Sequence, residues 1–599
     1  MEPNDSAAAE SPNETVILLR LPPELLENIS ALLPNSDIKS LRQACSGLCK
    51  LVHLRLTRVF LSPDPRNIKV FRAIAEHDDH RHAIREIIYD DARLKTSWLT
   101  THLRTDEQQQ SPGTATEEDE EELTPWERYR LRTEPPVRRP PRERDGPNTP
   151  EEKRLRAERG AQHWFRTTSL RNHDELARRR GRDDPRLPQH AARDALLAQQ
   201  PRWERCWPLY ASLARRQLRA VESGADEAAL AYGLARFPNL ARVTVTPAAH
   251  GFLHAPLYQT PVIRALPAGF NYAVPRGWPC VALASLADTS AWVPDADTTP
   301  AQVAAVRSCW RGLRLVLRQL AEEIEVQRQQ LVVPELVMDV HGLNAGLNPH
   351  MFAQATTPDY AHLQTILAQP GFRRLDLPLM LGGLVVERWA CLANGFFRGL
   401  LAKARDLEHF RLAGDAEESR SVTVPVGSTK HCPLARVLPV SRWKRLRHFG
   451  LYRIPVQVDD LLAVLASLPE SLRSVELSFL LFADKDATGY RGLLEDMRTR
   501  LRWHERQSVY RPKVLIGLPV TGAKQPGRGI WLGKEISAFL YGDGPNPFAT
   551  SASVATYGMG VMKDEFEPEY ERPHVDHAEM IRLGYHAPQA GDDQDQPAA

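Results

Sequence analysis

Apolar residues recur along this chain in two rhythms. Between residues 21 and 52 the spacing is helical: Leu25, Leu26 and Ile29 form one stripe that Leu33 and Pro34 close. Asp37 and Ile38 open a second stripe, continued by Leu41, Cys45, Leu48 and Leu51. A short amphipathic helix is predicted over 67–75, and the run from Ile84 through Tyr89, ended by Asp90 and Asp91, reads as a buried strand. From residue 240 onward another pattern takes over. An apolar residue, two variable positions, an apolar residue, one variable position and an apolar residue recur at 240–245, 372–377, 407–412, 446–451 and 472–477. Helices are predicted between them at 361–367, 389–405 and 458–468, the last closed by Pro469. A helix at 490–505 and a closing strand at 514–518 follow.

That strand pattern is similar to the signature of leucine-rich repeats. Its later copies begin about 26 to 39 residues apart, against the 20–29 usual for such repeats, so the repeat is degenerate. It also lacks the asparagine or cysteine that regular repeats place after the strand. The expected fold class is α/β: an N-terminal helical unit, then a degenerate leucine-rich-repeat-like α/β solenoid over 201–545 whose concave sheet is a binding surface. Arg374, Asp376, Glu408, His409, Arg411, Arg447, His448, Glu476 and Ser478 are expected to point from its surface. Six prolines, from Pro247 to Pro279, break candidate elements in 247–335, where only 302–328 reads as a helix.

Composition sets limits on partners and compartment. With 77 Lys+Arg against 75 Asp+Glu in 599 residues, the net charge of +2 gives no whole-molecule attraction to nucleic acid or membrane. Seven scattered cysteines argue against a secreted disulfide framework and for reducing cytosol or nucleus. No signal peptide and no membrane span are expected. Residues 1–15 and the end of the 546–599 segment are expected to be disordered tails. So is a linker over 103–160, where the acidic run 117–122 passes into Pro- and Arg-rich sequence. Residues 63–102 are assigned to the start of the repeat-like body, and 161–200 to an Arg-rich helical or partly disordered segment.

The segment 16–62 resembles an F-box, on Leu21, Pro22, Glu24, Pro34, Asp37 and Ile38 in register. The likeness extends through Arg58-Val59-Phe60-Leu61, Asn67-Ile68 and the Ile84 strand, a pattern common in F-box proteins of filamentous fungi. The resemblance implies three small helices that dock on a Skp1-like adaptor and, through it, a cullin, while the rest of the chain captures a protein target. It carries the adaptor contact onto Leu21, Pro22, Glu24, Leu25, Ile29, Leu32, Leu33, Ile38, Leu41 and Leu48, by helix-in-groove packing. Leu48 stands where many family members have tryptophan. A unit this short needs a partner, metal or disulfide to hold together, and no such metal or cysteine set is in view.

Candidate chemistry elsewhere is thin. His77, Asp78, Asp79, His80 and His82 read as a polar turn, and Gly527-Arg528-Gly529 with Gly533-Lys534 lacks the phosphate-loop spacing. No catalytic, cofactor or metal residues are assigned, and the expected role is a non-catalytic substrate receptor. Two alternatives are a scaffold without ubiquitylation output and a nucleic-acid binder using the Arg-rich stretch 138–182. Ser111, Thr124 and Thr149, each followed by proline, are candidate phosphorylation sites.

Overall fold

The computed structural model describes residues 18, 21–100, 149–180, 188–279, 292–294, 298–327, 333–381, 391–415, 433–482, 489–520, 528–549 and 551–574. The expected tails, the acidic run, Ser111 and Thr124 lie outside these residues.

The protein is a mixed α/β molecule organised on one large sheet. Its first strands are β1 (Arg58–Leu61), β2 (Glu86–Asp90), β3 (Arg242–Thr246), β4 (Glu335–Met338), β5 (Arg374–Pro378), β6 (His409–Ala413) and β7 (His448–Tyr452). Then come β8 (Pro455–Val456), β9 (Ser474–Ser478), β10 (Leu481–Phe482), β11 (Lys513–Pro519), β12 (Arg528–Leu532), β13 (Val561–Asp564) and β14 (Glu567–Pro573). In the 12-stranded sheet, β1 to β7, β9 and β11 pair in parallel in sequence order, and β12, β13 and β14 extend it antiparallel. The short β8 and β10 pair separately.

Parallel strands laid down in order, with crossovers of one hand, carry all their connections on one side. Helices α1 (Pro23–Leu32), α2 (Asn35–Ala44) and α3 (Ser46–Leu51) precede β1, and α4 (Pro65–Glu76) and α5 (Asp78–Ala83) lead to β2. Between β2 and β3 lie α6 (Ser97–Thr100), α7 (Pro150–Arg180), α8 (Pro188–Ala198), α9 (Trp203–Glu222) and α10 (Ala225–Leu234). Then α11 (Pro300–Ser308) and α12 (Arg311–Gln327) reach β4, and α13 (Pro358–Leu367), α14 (Phe396–Leu401) and α15 (Leu434–Val437) serve the next three crossovers. Finally α16 (Val458–Ala466), α17 (Gly489–Arg500) and α18 (Lys534–Tyr541) precede β9, β11 and β13. Val59, Ile87, Val243, Leu336, Leu375, Phe410, Phe449, Val475 and Val514 share one register row and are at most 2% exposed. They pack with Phe71, Leu230, Leu317, Leu363, Leu400, Leu462 and Leu493 from the helices in one continuous core. At about 1.5–3 kcal/mol per buried side chain, this row anchors the sheet.

Each strand of the repeated pattern begins two residues later than its apolar pattern. Leu240, Phe372, Leu446 and Leu472 are buried before the strand, and each amide donates to the carbonyl three residues back, at 3.1–3.3 Å. The leading leucine therefore plugs a turn, and pairing starts after it. There the two amides at the start of a strand share one carbonyl of the preceding strand's lead-in. Arg373 and Arg374 donate to Pro334, Glu408 and His409 to Arg373, Arg447 and His448 to Glu408, and Arg473 and Ser474 to Arg447. β4 went unassigned although Val333, Leu336 and Met338, all buried, carry the same spacing.

Other expectations are corrected. The linker was expected to run to residue 160, yet α7 starts at Pro150. Thr149 and Glu152 form a reciprocal cap there, the Thr149 amide donating to Glu152 at 2.8 Å and the Glu152 amide to the Thr149 hydroxyl at 3.2 Å. The single helix expected at 302–328 is two, broken at Cys309-Trp310; Trp310 is fully buried and its indole donates to the Gly346 carbonyl at 2.9 Å. The predicted 490–505 helix ends at Arg500, and Arg502, at φ 52°, turns the chain into a short 3-10 segment. Residues 78–83 form α5 instead of a turn, with His77 and His80 stacked at 4.1 Å. The C-terminal segment, expected to be irregular, supplies β13 and β14. Of the 389–405 helix, residues 389–390 lie outside the described residues, and Gly395, at φ 89°, starts α14 afresh.

The β2–β3 crossover builds its own aromatic core. Phe165 of α7 packs against Trp207 and Tyr210 of α9 at 5.5 and 4.9 Å, joined by Leu253, Ile263, Phe270 and Tyr272.

Candidate functional site

Two surfaces have the make-up of protein-binding sites. The first is the N-terminal helical trio, which has a small core separate from the main one: Leu26, Ile38, Leu48 and Val52 are at most 4% exposed, with Leu33, Leu41 and Cys45 packed beside them. Backbone staples compensate for its size. Asn35 and Arg55 exchange two hydrogen bonds, side chain to carbonyl at 2.8 Å and amide to side chain at 3.0 Å. The Arg55 guanidinium donates to the Ala31 and Leu33 carbonyls, and Arg42 to the Val52 carbonyl.

This core divides the expected adaptor contacts. Ile38 and Leu48 are 0% and 1% exposed, so they pack inside the trio instead of presenting free surface. Leu21, Leu33 and Leu41 are half-buried, and Pro22 and Glu24 are exposed. Leu25, Ile29 and Leu32 are 48%, 40% and 87% exposed, and their i, i+4, i+7 spacing puts them on one stripe of α1. Leu51 of α3 is 48% exposed as well. Leu33, Asp37, Ser40, Leu41 and Ala44 line a shallow groove beside α2.

The second surface is the sheet face opposite the helices. Its first register row reads Arg58, Glu86, Arg242, Glu335, Arg374, His409, His448, Ser474, Lys513. Opposite charges directly across strands favour each other. Arg58 meets Glu86 at 2.6 Å, and Glu335 accepts from both Arg242 and Arg373, at 2.6 and 3.0 Å. Arg374 holds Asp376 through two bonds of 3.0 and 2.8 Å. His409 sits 3.2 Å from Asp376 and stacks on His448 at 4.1 Å, while His448 Nδ1 lies 2.6 Å from the Ser474 hydroxyl. Although burial opposes it, the hydrogen bonds and charges of His409 and Arg374 hold the Asp376 carboxyl far below its usual range. Burial, then the His409 charge, pushes His448 down to about 3.

Further along the face, Arg411 of β6 reaches Glu476 of β9 at 3.5 Å, across β7. Gly450 lies between them, and a Cβ there would sit 3.1 Å from Arg411 Cγ. Arg411 also lies over the Tyr452 ring at 4.6 Å. Of the residues expected on this surface, Arg374, Glu408, His409, Arg411, His448 and Glu476 are half-buried and Arg447 is exposed. Asp376 and Ser478, at 7% and 0%, are instead buried, Asp376 under Arg374 and Ser478 by accepting the Gly517 amide at 3.0 Å.

The ends of the strands add residues the pattern did not reveal. His341, Arg453 and Phe479 follow β4, β7 and β9 with φ of 46°, 51° and 56°, values uncommon for residues with a side chain. Such strain clusters where surrounding structure fixes a side chain for a purpose. Arg453 is thereby turned back over the Tyr452 and Phe479 rings and donates to Gly342 and Asn344, at 3.0 and 2.7 Å. The Phe479 ring occupies space that side chains at Gly517 and Gly529 would take. These positions lie just past the apolar pattern, so only their left-handed backbone, invisible in sequence, marks them.

Compared with known protein families and with curated proteins, the chain matches none. Among the described residues, no group of three or more metal-ligating side chains converges, and no helix is long and apolar enough to cross a membrane.

Proposed function

We propose that this protein is the substrate-recognition subunit of a Skp1-cullin-F-box ubiquitin ligase. In this reading the trio docks on a Skp1-like adaptor, and the sheet is the concave face of a degenerate leucine-rich-repeat-like solenoid that holds a protein target. The observation that carries it is the exposed row Leu25, Ile29 and Leu32 on a trio whose core is four residues. A folded unit that small, with an apolar stripe facing outward, is built for burial against another protein. The mechanism is positioning: the chain raises the target's effective concentration at the transfer site without touching the reacting atoms.

The nucleic-acid reading is weaker, because α7 uses its length for packing. Phe165 and Leu176 are buried, Arg166 lies over Trp203, and Glu158 pairs with Arg215. Co-purification of the full chain with Skp1 and a cullin tests the proposal. Leu25→Asp is expected to abolish it while leaving the fold intact, and adaptor capture that survives this change sinks the assignment.

A further inference from the structure

Strands β3 and β7 stand four places apart in the sheet, roughly 19 Å at ordinary strand spacing. One two-residue turn nevertheless packs on the loop after β3 and lies within electrostatic reach of the end of β7. It is Glu565-Phe566, the tip of the hairpin made by β13 and β14. Phe566 is 2% exposed, and its ring lies 4.4 Å from that of Phe252 in the loop after β3. Glu565 faces Arg411 of β6 and Arg453 at the end of β7. The Tyr452 hydroxyl is buried and closes no hydrogen bond of normal geometry among the described residues; the group it faces is the Glu565 carboxylate.

The tip thus occupies a receptor already formed by other elements. The charges of two guanidiniums and the Tyr452 phenol act on its carboxyl, and the Phe252 ring packs against its aromatic side chain. One of those guanidiniums is presented by the strained backbone of Arg453. The hairpin that brings the tip there is the outermost part of the sheet: among the described residues β14 pairs only with β13, and β13 joins the rest only through β12. Edge elements of this kind open at lower cost than the strands they flank.

We propose that Glu565-Phe566 is a resident pseudo-ligand of the polar face, and that the protein target presents the same chemistry, a carboxylate followed by an aromatic ring in a short segment that displaces the hairpin. This rests on reading the face as the target-binding surface. The chain is then self-occluded until an acidic, aromatic peptide competes for Arg411, Arg453 and Phe252.

The test uses the full chain and a fluorescein-labelled peptide of residues 560–574, followed by fluorescence anisotropy. Phe566→Ala opens the site, and Glu565→Gln, which keeps the shape of the turn, serves as a second opened chain. The peptide is expected to bind either opened chain about tenfold or more tighter than the unaltered protein. A peptide carrying both Glu565→Gln and Phe566→Ala is expected to bind about tenfold or more weaker than the native one. Equal binding to opened and unaltered chains, or binding indifferent to the peptide changes, overturns the proposal. No adaptor is present in this assay. Loss of peptide binding with adaptor capture intact therefore removes only this inference, and the converse removes only the adaptor assignment.

Discussion

Asp91 and Gly312 are 221 residues apart in sequence, and the Gly312 amide donates to the Asp91 carboxylate at 3.1 Å. The same carboxylate accepts the Leu313 amide, the Trp278 indole and the Arg93 guanidinium, at 3.3, 2.9 and 2.8 Å. An acid in the first turn of a helix satisfies its free amides and complements its dipole. This contact ties the end of β2 to the start of α12, so the long insertion between them is closed at its base.

Asp91→Ala is expected to cost about 3–5 kcal/mol, because it leaves a half-buried arginine and several buried donors unpaired. Gly312→Ala is also destabilising, by about 1–3 kcal/mol, since a Cβ there would lie 2.3 Å from Asp91 Oδ1. Urea unfolding midpoints measure both; a midpoint unchanged by Asp91→Ala contradicts the account.

The trio sets an exposed residue beside a packing residue at adjacent positions. Leu25→Ala is expected to change stability by no more than about 0.5 kcal/mol, whereas Leu26→Ala removes a buried side chain and costs about 2–5 kcal/mol. Circular dichroism melts of the pair check this, and equal losses refute the division of faces.

Leu48 is 1% exposed beside Leu26 and Ile38. Placing a larger ring there by Leu48→Trp is expected to overpack this core and to lower stability by about 1–3 kcal/mol. A raised melting temperature would show that the core has unused space.

His448 makes stability depend on pH. It is faced by His409 and Asp376, by Arg411 and Arg374, and by the Ser474 hydroxyl. Its folded pKa is about 3, below the roughly 6.5 of an unfolded histidine. Between these values the unfolded chain binds the extra proton, so this contribution is complete above pH of about 6.5 and falls as pH drops toward 3, by at most about 1.4 kcal/mol per unit. Asp90, raised by burial to about 7, acts oppositely, since its folded form keeps a proton that the unfolded chain releases above about 4. The measurement is therefore a difference: His448→Asn is expected to flatten the acid-side slope relative to the unaltered chain, and an unchanged slope counts against the assignment.

The parallel sheet was legible because alternation survives in each copy of the repeat pattern, as in Phe410 and Leu412 facing the helices while His409 and Arg411 face away. The start of each strand was not, because Phe372 and Leu472 are as apolar as the strand residues and only the turn bond tells them apart. The cap Thr149-Pro-Glu-Glu152 was present in the sequence as a helix start and was masked by the prolines before it. For the trio, spacing identified the stripes but not their orientation, which depends on where α2 and α3 lie. Tyr452, Arg453, Phe479 and Phe566 carried no periodic signal at all. The Tyr452–Phe479 contact is set by the positive φ of Phe479, and the Phe566–Phe252 contact by a hairpin arriving from the far edge.

The shared carbonyl at the start of successive strands has a consequence for how such a chain tolerates change. Each strand is indexed by the backbone of its predecessor, not by anything in the connection between them. The connection from β2 to β3 runs from residue 90 to 242, while that from β7 to β9 needs only residues 453–473, and both deliver their strand to the same register. Crossovers can therefore lengthen, shorten or gain whole helices during evolution while every side chain on the polar face keeps its address.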